Sequence, residues 1–259
     1  MRFLTLMMLT LFIPFTAHAG ETVTYHHNET ALEGYWAPAA DACDTQENYP
    51  TVLIVHQWKG LGDYEKKRAD MLAAECYNGF AIDMYGQGIR PTTQEEAGKT
   101  SSIYKNDPAL ARGRLQAALD YARAQAATDI ENIATIGYCF GGTMALEQAR
   151  SGADIDGVVS FHGGLKTHKP ATTDTPVLAS VQVHHGAADP HVPQEDVDAF
   201  RKEIDAVDAD WMLTQYADAV HAFTEKEAGD DPSTGVAYNE KADKRSWRAT
   251  LAFLNEIFE

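Results

Sequence analysis

The sequence predicts an α/β protein with a mostly parallel central sheet and helices on both of its faces. Short β-branched apolar runs alternate with longer amphipathic stretches over most of the chain, with Gly, Pro, Asn and Asp at the junctions. One run, TVLIVH at 51–56, is apolar almost throughout, as a strand covered on both faces must be. Alternation of this kind over this length implies parallel strands joined by crossover helices.

Residues 22–25 and 32–37 read as a hairpin around His27-Asn28-Glu29, and 51–56 as a buried strand. A helix is expected over 63–77, then a strand over 80–84. Residues 85–105, with Gly86, Gly88, Pro91 and Gly98, read as a long loop over the site. Pro108 opens a helix to about 125. Strands are expected over 133–138, 157–161, 177–184 and 211–216, with helices starting at Phe140 and covering 193–207 and 238–258. No repeat, low-complexity stretch or linker divides residues 20–259, which are expected to form one domain.

Residues 1–19 read as a removable leader: Arg2, an apolar run from Phe3 to Phe15, and Ala17-His18-Ala19 before Gly20. The run is too short to anchor in a bilayer, so the expectation is a secreted or periplasmic protein. The 259 residues carry a net charge of −17, which argues against nucleic acid or an anionic membrane as partner. Export permits disulfides. Cys43 lies in a polar loop before the strand at 51–56, and Cys76 closes the helix before the strand at 80–84. Both fall at the N-terminal ends of strands, so they are expected to pair and leave Cys139 free.

The chemistry centres on Gly137-Tyr138-Cys139-Phe140-Gly141-Gly142, a strand followed by Gly-x-Cys-x-Gly and a helix start. This is a nucleophile-elbow pattern with cysteine in place of serine. The turn requires small residues two before and two after the nucleophile, and it sets the thiol at a helix N-terminus, which favours thiolate. Asp189, in the tight loop after the strand at 177–184, is the candidate orienting carboxylate. His221, after the strand at 211–216, is the candidate base. The order nucleophile, acid, histidine is that of the α/β-hydrolases.

Leu32-Glu33-Gly34-Tyr35, His56-Gln57-Trp58-Lys59-Gly60-Leu61, Ala81-Ile82-Asp83-Met84-Tyr85-Gly86, the elbow, Ser160-Phe161-His162-Gly163, His185-Gly186-Ala187-Ala188-Asp189 and His221-Ala222-Phe223 together resemble the dienelactone hydrolase family of α/β-hydrolases. The resemblance implies a Cys139–His221–Asp189 triad, an oxyanion hole from the backbone N–H groups of Phe140 and Trp58, and hydrolysis of small esters or lactones without a cofactor. It also implies a pocket drawn from Gln57, Tyr85, Gln87, Arg90, His162, Phe223 and Glu225.

Three departures qualify the substrate. Family members commonly carry glutamate at the position of Gln57, and Gln57 cannot ionise. The family's dienelactone enzymes hold a substrate carboxylate with two arginines, and Gln87 and Glu225 stand at those positions. Arg90 could replace the first cation, whereas Glu225 opposes an anion. A neutral ester, lactone or thioester is therefore expected. The ten histidines form no metal-ligand spacing, and the sequence leaves oligomeric state open. The competing readings are a non-hydrolytic thiol protein serving redox sensing or ligand binding, and a carbohydrate- or envelope-binding module using Trp36, Trp58, Tyr85 and Tyr104.

Overall fold

The computed structural model describes residues 20–43 and 47–259. The leader at 1–19 lies outside the described residues. Strands β1 (Glu21–His27), β2 (Thr30–Ala37), β3 (Tyr49–Val55), β4 (Asn78–Ile82), β5 (Thr128–Tyr138), β6 (Gly157–Phe161), β7 (Ser180–Gly186) and β8 (Trp211–Tyr216) form one sheet in the order β1-β2-β4-β3-β5-β6-β7-β8. The β1–β2 and β2–β4 pairs are antiparallel, and every pair from β4 onward is parallel.

Helices α1 (Asp63–Ala74), α2 (Gln94–Asn106), α3 (Pro108–Arg123), α4 (Phe140–Arg150), α5 (Gln194–Ala206) and α6 (Glu240–Ile257) cover the sheet. Alternation along β3 separates the two cores. Leu53 and Val55 join Leu115, Leu119, Met144, Leu146, Phe200 and Ile204 from α3, α4 and α5. Val52 and Ile54 join Ala69, Leu72, Phe253 and Leu254 from α1 and α6. Side chains on a strand alternate between faces, so one apolar run feeds both layers.

All of α4 is buried, which requires its charges to be paired. Arg150 meets Glu203 at 2.9 Å and donates to the Leu165 carbonyl at 2.7 Å, while Glu147 meets Arg112 at 2.9 Å. The chain turns outward from β3 to β4 and then returns to place β5 on the other side of β3. The crevice at the carboxyl ends of β3 and β5 is thus the topological switch point, where open α/β sheets place their ligands.

The stretch 85–105 is not one long loop. Its second half is α2, started by a capping box in which Thr93 Oγ1 accepts the Glu96 N–H and Glu96 Oε2 accepts the Thr93 N–H. Ala97, Ser101 and Tyr104 bury one face of it. Helix α1 ends at Ala74, three residues before the expected Tyr77. Cys76 adopts φ 67° there, and the Tyr77 N–H reaches back to the Leu72 carbonyl, a Schellman-type stop. Strand β4 lies two residues earlier than expected, because the Asp83 carboxylate caps a turn through the Tyr85 and Gly86 N–H groups. Strand β7 starts three residues late at Ser180, and α6 two residues late, at Glu240 behind its Asn239 cap.

Candidate active site

The nucleophile elbow is built by exclusion. A Cβ on Gly137 would lie 2.1 Å from the Gly141 carbonyl, and one on Gly141 would lie 2.1 Å from the Val55 carbonyl. Only glycine lets β5, α4 and the end of β3 approach this closely. Between them Cys139 sits at φ 55°, ψ −115°, a sparsely populated conformation of the kind that active sites hold under constraint. Partly exposed Cys139 is the N-cap residue of α4, and its thiol makes no capping hydrogen bond to the helix.

His221 Nε2 lies 3.1 Å from Cys139 Sγ, and His221 Nδ1 lies 2.9 Å from Asp189 Oδ2. The second Asp189 oxygen accepts the His191 N–H at 2.8 Å, so the buried carboxylate is held at both ends. The loops that carry these residues are fixed by backbone bonds: Ala187 N–H to Tyr216, Ala188 N–H to Ala219, and His221 N–H to Gly235. Burial by itself would raise the Cys139 thiol. The facing His221, Lys105 on the last turn of α2 and the Phe140 N–H bring it below its ordinary value. Burial would lower His221, but the Cys139 charge and the Asp189 hydrogen bond push it up to about 10. The pair favours thiolate and imidazolium together.

The turn after β3 is pinned from several sides. Glu65 Oε1 accepts the Gln57 N–H at 3.1 Å and Oε2 accepts the Gly62 N–H at 3.0 Å. Buried His56 takes the Met84 N–H on Nε2 and donates from Nδ1 to the Gln57 carbonyl. Burial lowers that imidazole to about 4, so it is neutral. The Tyr85 hydroxyl donates to the Trp58 carbonyl at 2.9 Å. Gln57 gives its side-chain hydrogen bond to Glu225. A groove of about 870 Å³ runs past these residues, lined among others by Gln57, Trp58, Tyr64, Arg68, Thr224 and Glu225.

The structure therefore brings Cys139, His221, Asp189 and Phe140 together at the elbow, and sets Gln57, Trp58 and Glu225 on the groove. Other expected pocket residues stand elsewhere. Gln87 is exposed and donates to Glu33 at 3.3 Å. Arg90 does not supply a free cation: its guanidinium is spent on the Leu61 and Ile89 carbonyls at 2.8 Å, with Asp83 at 3.6 Å. Tyr85, His162 and Phe223 are buried supports. Cys43 and Cys76 form a disulfide with Cα atoms 5.6 Å apart, at the N-terminal ends of the parallel strands. Glu65, Tyr64, Lys105 and Thr224 are site residues that motif reading passes over, and His56 lies in a matched stretch to which the sequence assigns no role. Glu65 had a signal, an acid in a first helical turn able to reach back to free amides.

An eight-stranded, mostly parallel sheet with an elbow at the end of β5 is the α/β-hydrolase fold. The family profile of the dienelactone hydrolases matches residues 33–258, and the chain belongs to that family. It is similar to protein K02A2.1 of Caenorhabditis elegans, 40% identical over 146 residues that cover 56% of this chain and 92% of that one. It is 26% identical, over 79% of this chain and 83% of the relative, to a Bradyrhizobium sp protein named "Probable 2-oxo-3-(5-oxofuran-2-ylidene)propanoate lactonase". Among solved structures it matches P91, a dienelactone hydrolase-like promiscuous phosphotriesterase from metagenomic libraries, with TM-score 0.85 and 34% identity over 94% of this chain and 100% of P91. The chain is a hydrolase of this family.

Proposed function

We propose that the protein is an exported cysteine hydrolase that cleaves small uncharged esters, lactones or thioesters through an acyl-enzyme. The observation that carries this reading is the line from Asp189 through His221 to Cys139, with contacts of 2.9 and 3.1 Å. Asp189 fixes the imidazole, and the Cys139 thiolate attacks the carbonyl carbon. The carbonyl electron pair moves onto oxygen, where the Phe140 and Trp58 N–H groups receive it. As the oxyanion collapses, the imidazolium gives its proton to the departing alkoxide or thiolate. His221 then takes a proton from water, hydroxide adds to the thioester, and the acid leaves as Cys139 returns to thiolate.

Two features support an uncharged substrate. Glu225 lies on the groove, half-buried and raised by that burial, and Gln87 is turned away from it. With Gln57 bonded to Glu225, His221 is left to govern the thiol. Export is supported by the leader pattern and by the Cys43–Cys76 disulfide. P91 is described as a promiscuous phosphotriesterase, and phosphotriesters are a second class for the same thiolate.

The test is p-nitrophenyl acetate hydrolysis by residues 20–259 and by Cys139→Ala, with intact-mass detection of acetyl-enzyme. The expected result is turnover and an adduct that both require Cys139. Neither turnover nor adduct in the wild type would sink the reading in favour of a non-hydrolytic thiol protein.

A further inference from the structure

Behind the triad a second histidine, His162, is wholly buried at φ 41° and touches both the nucleophile and the base. The Cys139 N–H is shared between the Phe161 carbonyl at 3.0 Å and His162 Nδ1 at 3.1 Å. A backbone N–H only donates, so Nδ1 must be the bare nitrogen and Nε2 must carry the hydrogen. Nε2 lies 2.9 Å from Thr224 Oγ1. The same hydroxyl oxygen accepts from the Tyr64 hydroxyl at 2.7 Å. Tyr64 in turn accepts from Arg68 Nη2 at 3.0 Å, and Arg68 is ion-paired with Asp243 at 2.7 Å. The His162 ring also packs edge-on against His221, centroids 5.3 Å apart. A proton on His162 would place a second cation against the imidazolium, and burial keeps the ring well below its ordinary value.

We propose that His162 is a positioning residue for the hydrolytic reaction, locked as its Nε2–H tautomer by the Thr224 hydroxyl so that Nδ1 holds the Cys139 N–H while the neutral ring walls the His221 imidazole. The inference rests on the hydrolase reading for its effect on rate, but not for its geometry. Thr224 is the keystone, because its one oxygen accepts from both sides of the network. Without it the buried His162 Nε2–H has no acceptor, and the other tautomer, which sets N–H against N–H at Cys139, becomes competitive.

The test compares wild type, Thr224→Val and Thr224→Ser. Valine keeps the shape and removes the hydroxyl, whereas serine keeps it. In p-nitrophenyl acetate hydrolysis Thr224→Val should lose about 10-fold or more in kcat with little change in KM, and Thr224→Ser should recover most of that loss. Long-range 1H–15N spectra of histidine-labelled protein, with His162 assigned by its loss in His162→Asn, should read Nε2–H in wild type and Thr224→Ser and a mixed tautomer in Thr224→Val. A wild-type His162 bearing its hydrogen on Nδ1, or a Thr224→Val enzyme within twofold of wild-type kcat, overturns the proposal. The spectra need no turnover. A wild type without activity or acyl adduct therefore refutes the hydrolase reading alone, and the tautomer then decides for or against the lock.

Discussion

Cys139 and His221 share a titration, and its sign follows from what opposes what. Burial resists thiolate, and the imidazolium together with Lys105 and the Phe140 N–H more than compensates, leaving the thiol below its ordinary value. Removing His221 keeps the burial and loses the compensation. The rate of iodoacetamide alkylation of Cys139 should accordingly reach its plateau below the ordinary thiol value of 9.0 in wild type. In His221→Gln the midpoint should move up past 9.0. An unmoved midpoint would mean that Lys105 and the helix N-terminus set the thiol without His221. At this scale the sequence was informative because Cys139, Asp189 and His221 each sit in a loop whose backbone demands are visible as motifs. The Tyr64–Thr224 and Arg68–Asp243 contacts were not visible. They join residues 160 and 175 positions apart and follow no local pattern.

Among the elements, the turn from β3 into α1 is the one whose shape depends on a single buried acid. Glu65 is raised to about 7, by burial first and against the opposing pull of the Gln57 and Gly62 N–H groups. A raised acid binds its proton more tightly folded than unfolded, so folding stability falls as pH rises from the ordinary 4.5 to about 7 and is level above that. The span corresponds to roughly 3 kcal/mol at most. Glu65→Gln lacks this titration. Urea melts of both proteins at pH 4.5, 6 and 8 should show the wild-type stability dropping relative to the variant with rising pH. A constant gap would show that Glu65 does not titrate in this range. Element boundaries tracked the sequence where packing and pattern agree: β6 and β8 begin and end where the apolar runs do. The helix α2 was hidden because Gly86, Gly88, Pro91 and Gly98 outweighed the short Thr93–Glu96 box that starts it.

Across the whole molecule, strength and chemistry lie at opposite ends of the sheet. The disulfide ties the end of α1 to the segment after β2, closing a span of 33 residues, and Cys139 stands at the far end of β5. In the chain-entropy account a closure of this length is worth about 3–4 kcal/mol. The double variant Cys43→Ser/Cys76→Ser should lower Tm by on the order of 10 °C. Its p-nitrophenyl acetate kcat at 25 °C should stay within twofold of wild type, since neither sulfur touches the site. A large loss of kcat in a folded variant would show that the two ends are coupled.

The Gly137–Gly141–Val55 contact has a consequence for anyone wishing to change what this protein accepts. A single added methyl at Gly141 would push on the strand end that carries the turn from Gln57 to Gly62, and one at Gly137 would push on the Gly141 carbonyl at the start of α4. Cys139 and the turn after β3 are therefore held in one rigid casting, with no independent adjustment between them. Laboratory selection for new substrates would find its productive substitutions along the groove wall, at Lys59, Glu225 and Lys226, and almost none at the elbow. Selectivity here is tunable by exchange of wall residues around a fixed reaction centre.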